Sequence, residues 1–305
     1  PKRLPKADLY FDCTGFKSLL NDSPWHDMSD ILPNNSAVVT RFAYNNKEEQ
    51  MKAVTDCVAL DNGWCWNVPT WTRIGSGYVY CDKFCSDQEA IDEFRDYLAE
   101  NVESDVGAYS DKMFRVIKWT TGRREKMWNG NVISIGLSAG FIEPLESNGI
   151  LSIHNFLLMF LRVMDGRKVI TETMRNTFNN NCNGSFDEFA SFVAAHFALT
   201  QRNDTPYWQH ICDKHYPDSH AMFRFQRSWG APSNTYDSVF NWLDLSSEGM
   251  LYVQAGQGWN PFSDVVYNEM SYYPGEIAEV QDHSWKGIDK LQCPYDYYKD
   301  TLYAS

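Results

Sequence analysis

The pattern of apolar residues changes near residue 145, and this change limits the chain to a mixed fold of sheet and helix. Before it, short β-branched runs alternate with turn residues, as in SAVVTRFAY at 36–44 and TRIGSGYVYC at 72–81. After it, residues 150–164 are apolar almost all round, which predicts a buried helix. We therefore predict an α+β fold, with a sheet-rich part at 1–150 and a mainly helical part at 151–305.

The first half carries the signals of an antiparallel meander. Asn62 and Gly63 form a step that is typical of a tight hairpin turn, so the strands within residues 36–81 are expected to pair in sequence order. ADLYFDCTGF at 7–16 predicts another strand, which ends in a Thr-Gly turn, and NVISIGL at 131–137 predicts a further one.

Capping residues mark the expected helix starts. Ser86 followed by Glu89 predicts a capping box, and the next apolar residues fall at helical spacing. Ser185 is expected to open a second capped helix that runs through about residue 196. Pro206 follows an Asp-Thr step, which is typical of the first position of a third helix.

Charge and composition exclude several classes of function. The net charge of −13 argues against a nucleic-acid partner, since an acidic surface repels phosphate groups. Eight cysteines without a CxxC pair predict a reduced, cytoplasmic protein. No apolar run reaches the ~18 residues that a membrane-spanning helix needs, so no membrane partner is expected. The absence of GxSxG, Walker A and GxGxxG motifs leaves nothing that favours a serine hydrolase or an NTPase.

The segment SAGFIEPLESNGI at 138–150 predicts an anion site at a helix start. Free backbone N–H groups at such a position bind anions, and Asn148 and Gly149 lie where these groups would point outward. Gly149 also has no side chain to block a close approach. Glu146 would then stand beside the anion as a base. The alternative is ordinary capping of the helix by the Glu-Ser step.

Two tryptophans in GWCWNVP form a second candidate feature. Trp64 and Trp66 are two positions apart, so they point to the same face of a strand. They could wall a cavity or fill a core, and an aromatic content of 15% is compatible with both.

Two other segments carry weaker signals. The Thr-Gly step that ends at Gly15 suits a close approach of the backbone to a cofactor and equally suits a tight turn. HICDKHYPDSH contains His210, Cys212, His215 and His220, but their spacings do not match the usual zinc pattern, so we predict no metal site.

Taken together, these segments resemble the flavin-dependent halogenases of the tryptophan halogenase family. GWCWNVP resembles the family motif WxWxIP, with Val68 in place of Ile. GLSAGFIEPLESNGI resembles the family segment GFxEPLEST, with Asn148 in place of Thr. HFALTQRNDTPYW is similar to another recurring stretch, and ADLYFDCTGF is similar to the late flavin-binding strand.

The resemblance implies a fold like that of the α/β flavin monooxygenases and a specific reaction. Reduced FAD, O₂ and a halide ion give hypohalous acid, which halogenates an electron-rich aromatic substrate. The resemblance places the halide on the backbone amides of Asn148 and Gly149. It assigns cofactor contacts to Leu137, Ile150 and Gly15.

The resemblance also assigns the substrate end of the site. Glu146 would orient the halogenating species there or accept the proton that the aromatic ring loses. Trp64 and Trp66 would line the space between flavin and substrate and keep the substrate away from the flavin, which disfavours hydroxylation.

The expected partners are a small aromatic substrate and a separate flavin reductase, and a homo-oligomer is left open. The chain begins without Met, and the family's GxGxxG segment and catalytic lysine precede the matched region, so we expect it to be the C-terminal two thirds or so of a longer protein. Two alternatives remain at this point: an FAD-dependent monooxygenase that hydroxylates its substrate, and a non-catalytic module that binds aromatic compounds.

Overall fold

The strands and helices occupy different parts of the chain. The structure, a computed structural model, describes residues 5–102, 110–198, 200–212, 253 and 291–303. Within these ranges every strand lies before residue 142, and the two longest helices follow residue 147. The predicted α+β fold is therefore confirmed, whereas the division of the chain at residue 150 stays a prediction.

A five-stranded antiparallel sheet forms the centre of the described structure. Its strands, in spatial order, are β4 (Asp56–Leu60), β5 (Gly63–Pro69), β6 (Ile74–Tyr80), β3 (Ser36–Phe42) and β7 (Arg115–Lys118). A short helix, α1 (Lys47–Gln50), lies between β3 and β4 in the chain.

The predicted pairing of the strands in sequence order is wrong for β3. This strand pairs with β6 and β7, whereas β4, β5 and β6 do follow one another. Most of β3 is buried, so its β-branched residues take an interior position in the sheet and not a place beside β4 at the edge. The hairpin turn also lies one residue earlier than predicted, because Leu60 pairs with Gly63 and leaves Asp61 and Asn62 as the turn.

Both faces of the central sheet are covered by helices. On one face, Val38 and Tyr78 pack with α2 (Asp87–Asn101). On the other, Trp64 and Val79 join a larger core that includes α4 (Glu172–Ala198) and α5 (Pro206–Ile211). Successive side chains of a strand point to opposite faces, so each inner strand contributes to both cores.

Helix α2 begins as the sequence predicts. The Ser86 side chain accepts a hydrogen bond from the Glu89 backbone N–H at 3.3 Å, and the Glu89 carboxylate accepts one from the Ser86 backbone N–H at 2.7 Å. This reciprocal pair satisfies two backbone donors that the helix itself leaves unpaired.

Two three-stranded sheets lie beside the central one. The first contains β1 (Tyr10–Asp12), β10 (Val132–Ser134) and β9 (Trp128–Asn129), with β1 parallel to β10. The second contains β11 (Gly140–Phe141), β8 (Gly122–Arg124) and β2 (Trp25–Asp27), all antiparallel. The strands predicted within 7–16 and 131–137 are thus confirmed.

The carboxylate of Asp12 organises the turn after β1. It is fully buried and accepts hydrogen bonds from the backbone and hydroxyl of Thr14 and from the backbone N–H groups of Leu20 and Asn21. Burial alone would raise the pKa of Asp12, but these hydrogen bonds outweigh it and lower the pKa below its ordinary value. The turn that holds Gly15 is therefore fixed by a charged group.

Helix α3 (Asn148–Met164) forms, but the prediction that it is buried is wrong for the described structure. Within it only Asn148, Phe156 and Met159 are buried, whereas Ile150 is 81% exposed and Leu161 is 62% exposed. The helix packs against α4 and against the 3₁₀ turn Gly136–Ser138. These contacts cover one side of an apolar helix and leave the other side open.

The predicted start of the next helix at Ser185 is also wrong. Helix α4 already begins at Glu172, and Ser185 lies in its interior. The Ser185 hydroxyl donates to the carbonyl of Asn181 at 2.9 Å, so the group that would cap a helix is satisfied within one. Helix α5 begins as predicted: Thr205 accepts from the backbone N–H of Trp208 at 3.3 Å, and Pro206 takes the first position.

The described C-terminal residues pack against the central sheet through Trp71. They form α6 (Pro294–Tyr297) and a π-helical turn, Tyr298–Leu302. The ring of Tyr303 stacks on Trp71 with centroids 5.0 Å apart, and Lys47 Nζ lies 3.1 Å from the Trp71 centroid.

All eight cysteines fall within the described residues, and every one is a free thiol. Among the helices that the structure describes, none is both long and apolar enough to span a bilayer.

We predict that Gly63→Ala lowers the free energy of unfolding by about 1–3 kcal/mol. A Cβ atom at this position would lie 1.9 Å from the carbonyl oxygen of Val79 in the neighbouring strand. The matched control is Gly75→Ala in β6, where a Cβ would meet no atom within 4 Å. Denaturant unfolding of both variants measures the difference, and equal losses would contradict the close approach of the strands at Gly63.

Candidate active site

A short irregular segment joins the sheets to α3. It consists of Glu143, the 3₁₀ turn Pro144–Glu146, and Ser147, whose φ of 52° is left-handed. This conformation turns the chain sharply, so that a 3₁₀ turn ends and an α-helix begins within one residue. The Ser147 side chain makes no capping hydrogen bond to α3. The capping alternative is therefore not the arrangement seen in the described residues.

Asn148 and Gly149, the predicted halide ligands, form the first turn of α3. Backbone N–H groups at this position have no partner within the helix. The Asn148 side chain is buried, and its Nδ2 has no hydrogen-bond partner in the described part of the chain. A Cβ on Gly149 would meet no atom within 4 Å, so the space beside its backbone is open. The helix start thus combines unused donors with free volume.

Glu146 forms an ion pair with a residue that sequence reasoning missed as a site residue. His196 Nε2 lies 2.7 Å from Glu146 Oε1, and His196 Nδ1 lies 2.9 Å from the carbonyl oxygen of Phe192. A carbonyl oxygen only accepts, so Nδ1 carries a hydrogen. The short contact at Nε2 then needs a second hydrogen, on either the ring or the carboxyl group. Glu146 and His196 are therefore joined by a short hydrogen bond, whichever atom carries that hydrogen.

No local pattern could have linked these two residues. His196 ends the helical segment of the sequence and lies far along the chain from Glu146. The one available signal was that His196 is the first residue of HFALTQRNDTPYW, a stretch with a family resemblance of its own.

Glu146 also faces the β4–β5 hairpin. Burial and then the negative charge of Glu146 raise the pKa of the Cys57 thiol on β4. Cys57 pairs across the hairpin with Trp66. The carboxylate therefore lies close to the hairpin whose second strand, β5, carries the two tryptophans.

Trp64 and Trp66 lie together, as their spacing predicts, with ring centroids 5.8 Å apart. Trp64 is 4% exposed, and its Nε1 donates to Glu143 Oε1 at 3.2 Å. Trp66 is partly exposed, and its ring lies over Gly77, where a Cβ would come within 2.2 Å of ring atoms. A buried and a partly exposed ring together fit a wall between core and cavity.

The carboxyl group of Glu143 is a second group that sequence reasoning did not assign to the site. It is fully buried, and burial raises its pKa from an ordinary 4.5 to about 8, although hydrogen bonds from Asn34 and Trp64 act in the opposite direction. Glu143 and Glu146 stand three residues apart, yet one is fully buried while the other pairs with His196.

The three predicted cofactor contacts lie on adjoining elements. The 3₁₀ turn Gly15–Lys17, which begins at Gly15, packs beside the 3₁₀ turn that contains Leu137, and this second turn packs against α3. Gly15 has a φ of 69°, and a Cβ there would meet no atom within 4 Å. Leu137 is 38% exposed, and Ile150 is more exposed still. All three present open surface.

The predicted absence of a metal site concerns four residues, of which His215 and His220 lie outside the described residues. Cys212 Sγ lies 3.0 Å from the carbonyl oxygen of Arg202, and the His210 ring packs on Phe84. The described part of the chain holds no cluster of three His, Cys, Asp or Glu side chains suited to a metal ion.

Comparison with known proteins decides the family. The tryptophan halogenase family model matches residues 3–267. The chain belongs to the tryptophan halogenase family. It is 34% identical over 324 residues to tryptophan 6-halogenase ThaL of Streptomyces albogriseolus. This alignment covers 99% of this chain and 59% of ThaL. It is also 34% identical over 211 residues to tryptophan 7-halogenase RebH of Lentzea aerocolonigenes, which covers 68% of this chain and 38% of RebH.

Solved structures support the same family assignment. The apo structure of VirX1 matches with a TM-score of 0.79 and 34% identity, covering 100% of this chain and 60% of VirX1. Tryptophan 6-halogenase SttH of Streptomyces toxytricini matches with a TM-score of 0.82 and 29% identity, covering 95% of this chain and 57% of SttH. The chain therefore spans between 38% and 60% of the length of these relatives.

Proposed function

We propose that this chain supplies the halide site and the substrate end of a flavin-dependent halogenase. The protein would use reduced FAD, O₂ and a halide ion to make hypohalous acid and would halogenate an electron-rich aromatic compound. The observation that carries this proposal is the uncapped start of α3 beside the Glu146–His196 pair, within the segment that resembles the family motif.

The residues at the helix start fit a halide ion. A halide accepts hydrogen bonds and carries negative charge, and the positive end of the α3 dipole favours such a charge. The unpartnered Nδ2 of Asn148 adds a buried side-chain donor to the backbone donors of the first turn. The open space beside Gly149 gives the ion room to approach these donors.

The residues assigned to the cofactor fit a flat aromatic ring. Leu137 and Ile150 offer exposed apolar surface, and Gly15 offers an unobstructed backbone on the adjoining turn. When bound, reduced FAD would supply the reduction of O₂ that oxidises the halide.

The Glu146–His196 pair suits a proton transfer at the substrate. An aromatic ring that gains a halogen must lose a proton, and a carboxylate that is held against an imidazole can take it. His196 is held by the carbonyl of Phe192, so its ring stays oriented toward Glu146 while the proton moves.

Trp64 and Trp66 would separate the two reacting regions. Their rings lie side by side, and the tight contact of Trp66 with Gly77 fixes its position. A rigid aromatic wall would exclude the substrate from the flavin while small molecules pass, and this favours halogenation over hydroxylation.

The remaining assignments follow from the relatives. ThaL and RebH are named as tryptophan halogenases, so we propose an indole, a pyrrole or a phenol as the substrate class here. A separate flavin reductase would supply reduced FAD, and the free state of all eight cysteines supports a cytoplasmic location.

The deciding experiment incubates the full-length protein with reduced FAD, O₂, a panel of aromatic compounds and each halide in turn. We expect a mass increase that corresponds to one halogen and that requires the matching halide. A hydroxylated product formed without halide would favour the monooxygenase alternative. The absence of any flavin-dependent turnover would favour the non-catalytic binding module.

We predict that Glu146→Gln lowers halogenation turnover by about 100-fold or more, because an amide can accept a hydrogen bond from His196 but cannot take a proton from the substrate. FAD affinity should be unchanged. Glu172→Gln is the matched control, since it alters an exposed carboxylate that pairs with Arg175. Steady-state kinetics and flavin titration test both variants, and unchanged turnover in Glu146→Gln would remove this residue from the reaction.

We predict that Asn148→Ala raises the halide KM about tenfold, which corresponds to the loss of one hydrogen bond to a charged group. Asn148→Asp should raise it further, because a carboxylate repels the anion although it suits a helix start. FAD affinity measures whether the fold of the site is intact. A halide KM that is the same in all three proteins would show that the Asn148 side chain does not contact the ion.

A further inference from the structure

Four side chains from separate elements meet in a buried polar cluster, which we call the Glu143 cluster. Its members are Glu143, Asn34 from the loop before β3, Trp64 from β5 and Tyr207 from α5. Glu143, Asn34 and Tyr207 have no exposed surface, and Trp64 is 4% exposed. The cluster therefore links the sheet, the helical layer and the segment that leads to Glu146.

The hydrogen bonds of this cluster are incomplete among the described residues. Glu143 Oε1 accepts from Trp64 Nε1, whereas Glu143 Oε2, the Tyr207 hydroxyl and both polar atoms of the Asn34 side chain have no hydrogen bond of normal geometry in the described part of the chain. Buried polar atoms in native proteins are almost always paired. The unpaired atoms include two donors, Asn34 Nδ2 and the Tyr207 hydroxyl, but no positively charged group.

Among the residues that the structure describes, no basic group faces Glu143 to stabilise a carboxylate. None of the ion pairs among the described residues includes it, and the titratable groups that face it are Tyr207 from α5 and Cys81 from the end of β6. Burial raises the pKa of both, so they are neutral as well. An unpaired charge in such a site is costly, and a carboxyl group avoids the cost by holding its proton.

We propose that Glu143 is a positioning residue, a neutral carboxylic acid that holds Trp64 and the adjoining turn Pro144–Glu146 in place, and that its ionisation destabilises this buried arrangement. The turn begins directly after Glu143, so this side chain fixes the N-terminal end of the turn. Glu146 and the start of α3 follow at its other end. The consequence for halogenation rests on the proposed function, whereas the consequence for stability does not.

The sign of the pH dependence follows from the two protonation states. The pKa of Glu143 is about 8 in the folded protein, against an ordinary 4.5. Between these values the folded protein keeps a proton that the unfolded chain has released, so stability falls as pH rises and levels off above about pH 8. One such proton changes the unfolding equilibrium constant by about tenfold per pH unit.

The test compares Glu143→Gln with the unmodified full-length protein by denaturant unfolding between pH 5 and 9. The amide keeps the shape and neutrality of the acid, so the variant should lose this pH dependence. Glu188→Gln is the matched control, because burial and the charge of Asp187 raise the pKa of Glu188 to about 7. It should remove only the part of the slope below about pH 7 and leave the part between pH 7 and 8. A full slope in Glu143→Gln between pH 7 and 8 would overturn the proposal.

Two further measurements cover the cases in which a variant misfolds or the protein lacks halogenase activity. Infrared titration of the unmodified protein should show the carbonyl stretch of a protonated carboxyl group at pH 7 that disappears above pH 8, and its absence at pH 7 would overturn the proposal.

In an active enzyme, halogenation and the fluorescence of Trp64 should change together near pH 8, and Glu143→Gln should abolish both changes. If the unmodified protein does not halogenate, the proposed function fails while unfolding and infrared data still decide the role of Glu143.

Discussion

The central sheet must be covered on both faces, and this requirement determines where the rest of the chain can lie. β3, β5 and β6 place alternate side chains in two cores, one under α2 and one under α4 and α5. Gly63 has no room for a side chain because the backbone of β6 lies against it, and Gly77 has none because the Trp66 ring lies against it. The ring of Trp66 occupies the space that Gly77 leaves, so one face of the sheet becomes an aromatic wall. The candidate site is therefore built on a closely packed part of the described structure, as precise chemistry requires.

The segment from Glu143 to Gly149 carries the candidate site residues and is itself held in place by contacts with the packed core. Glu143 is anchored in the buried cluster, Glu146 is anchored by His196, and the left-handed Ser147 then starts α3 without a side-chain cap. Two carboxyl groups on one short turn have opposite environments. The buried one lies in an uncharged cluster and acts on structure, whereas the partly exposed one pairs with an imidazole. Environments that separate two similar groups in this way are typical of sites that perform acid–base chemistry.

Sequence reasoning succeeded where the deciding forces are local. The capping box at Ser86 and the Thr205–Pro206 start depend on neighbours within one helical turn, and both formed as predicted. It failed where distant segments decide. The place of β3 beside β6, the continuation of α4 through Ser185 and the contact of Glu146 with His196 all depend on which surfaces meet, and hydrophobic spacing does not encode that. The family resemblance pointed to Glu146 and Asn148, because a family motif can mark site residues without showing which distant residues they contact.

Helix α3 shows how an apparent conflict between sequence and structure bears on function. Its sequence is apolar on all sides, yet only the side toward α4 and the Gly136–Ser138 turn is covered. Exposed apolar surface is unfavourable in water unless something binds it. Ile150 at the start of this helix and Leu137 on the adjoining turn are the residues proposed to contact the flavin, and both side chains are exposed. A planar aromatic cofactor on this surface would remove apolar area from water and, at the same time, bring the reactive ring to the open start of α3. The feature that made the burial prediction wrong is thus the feature that the proposed chemistry uses.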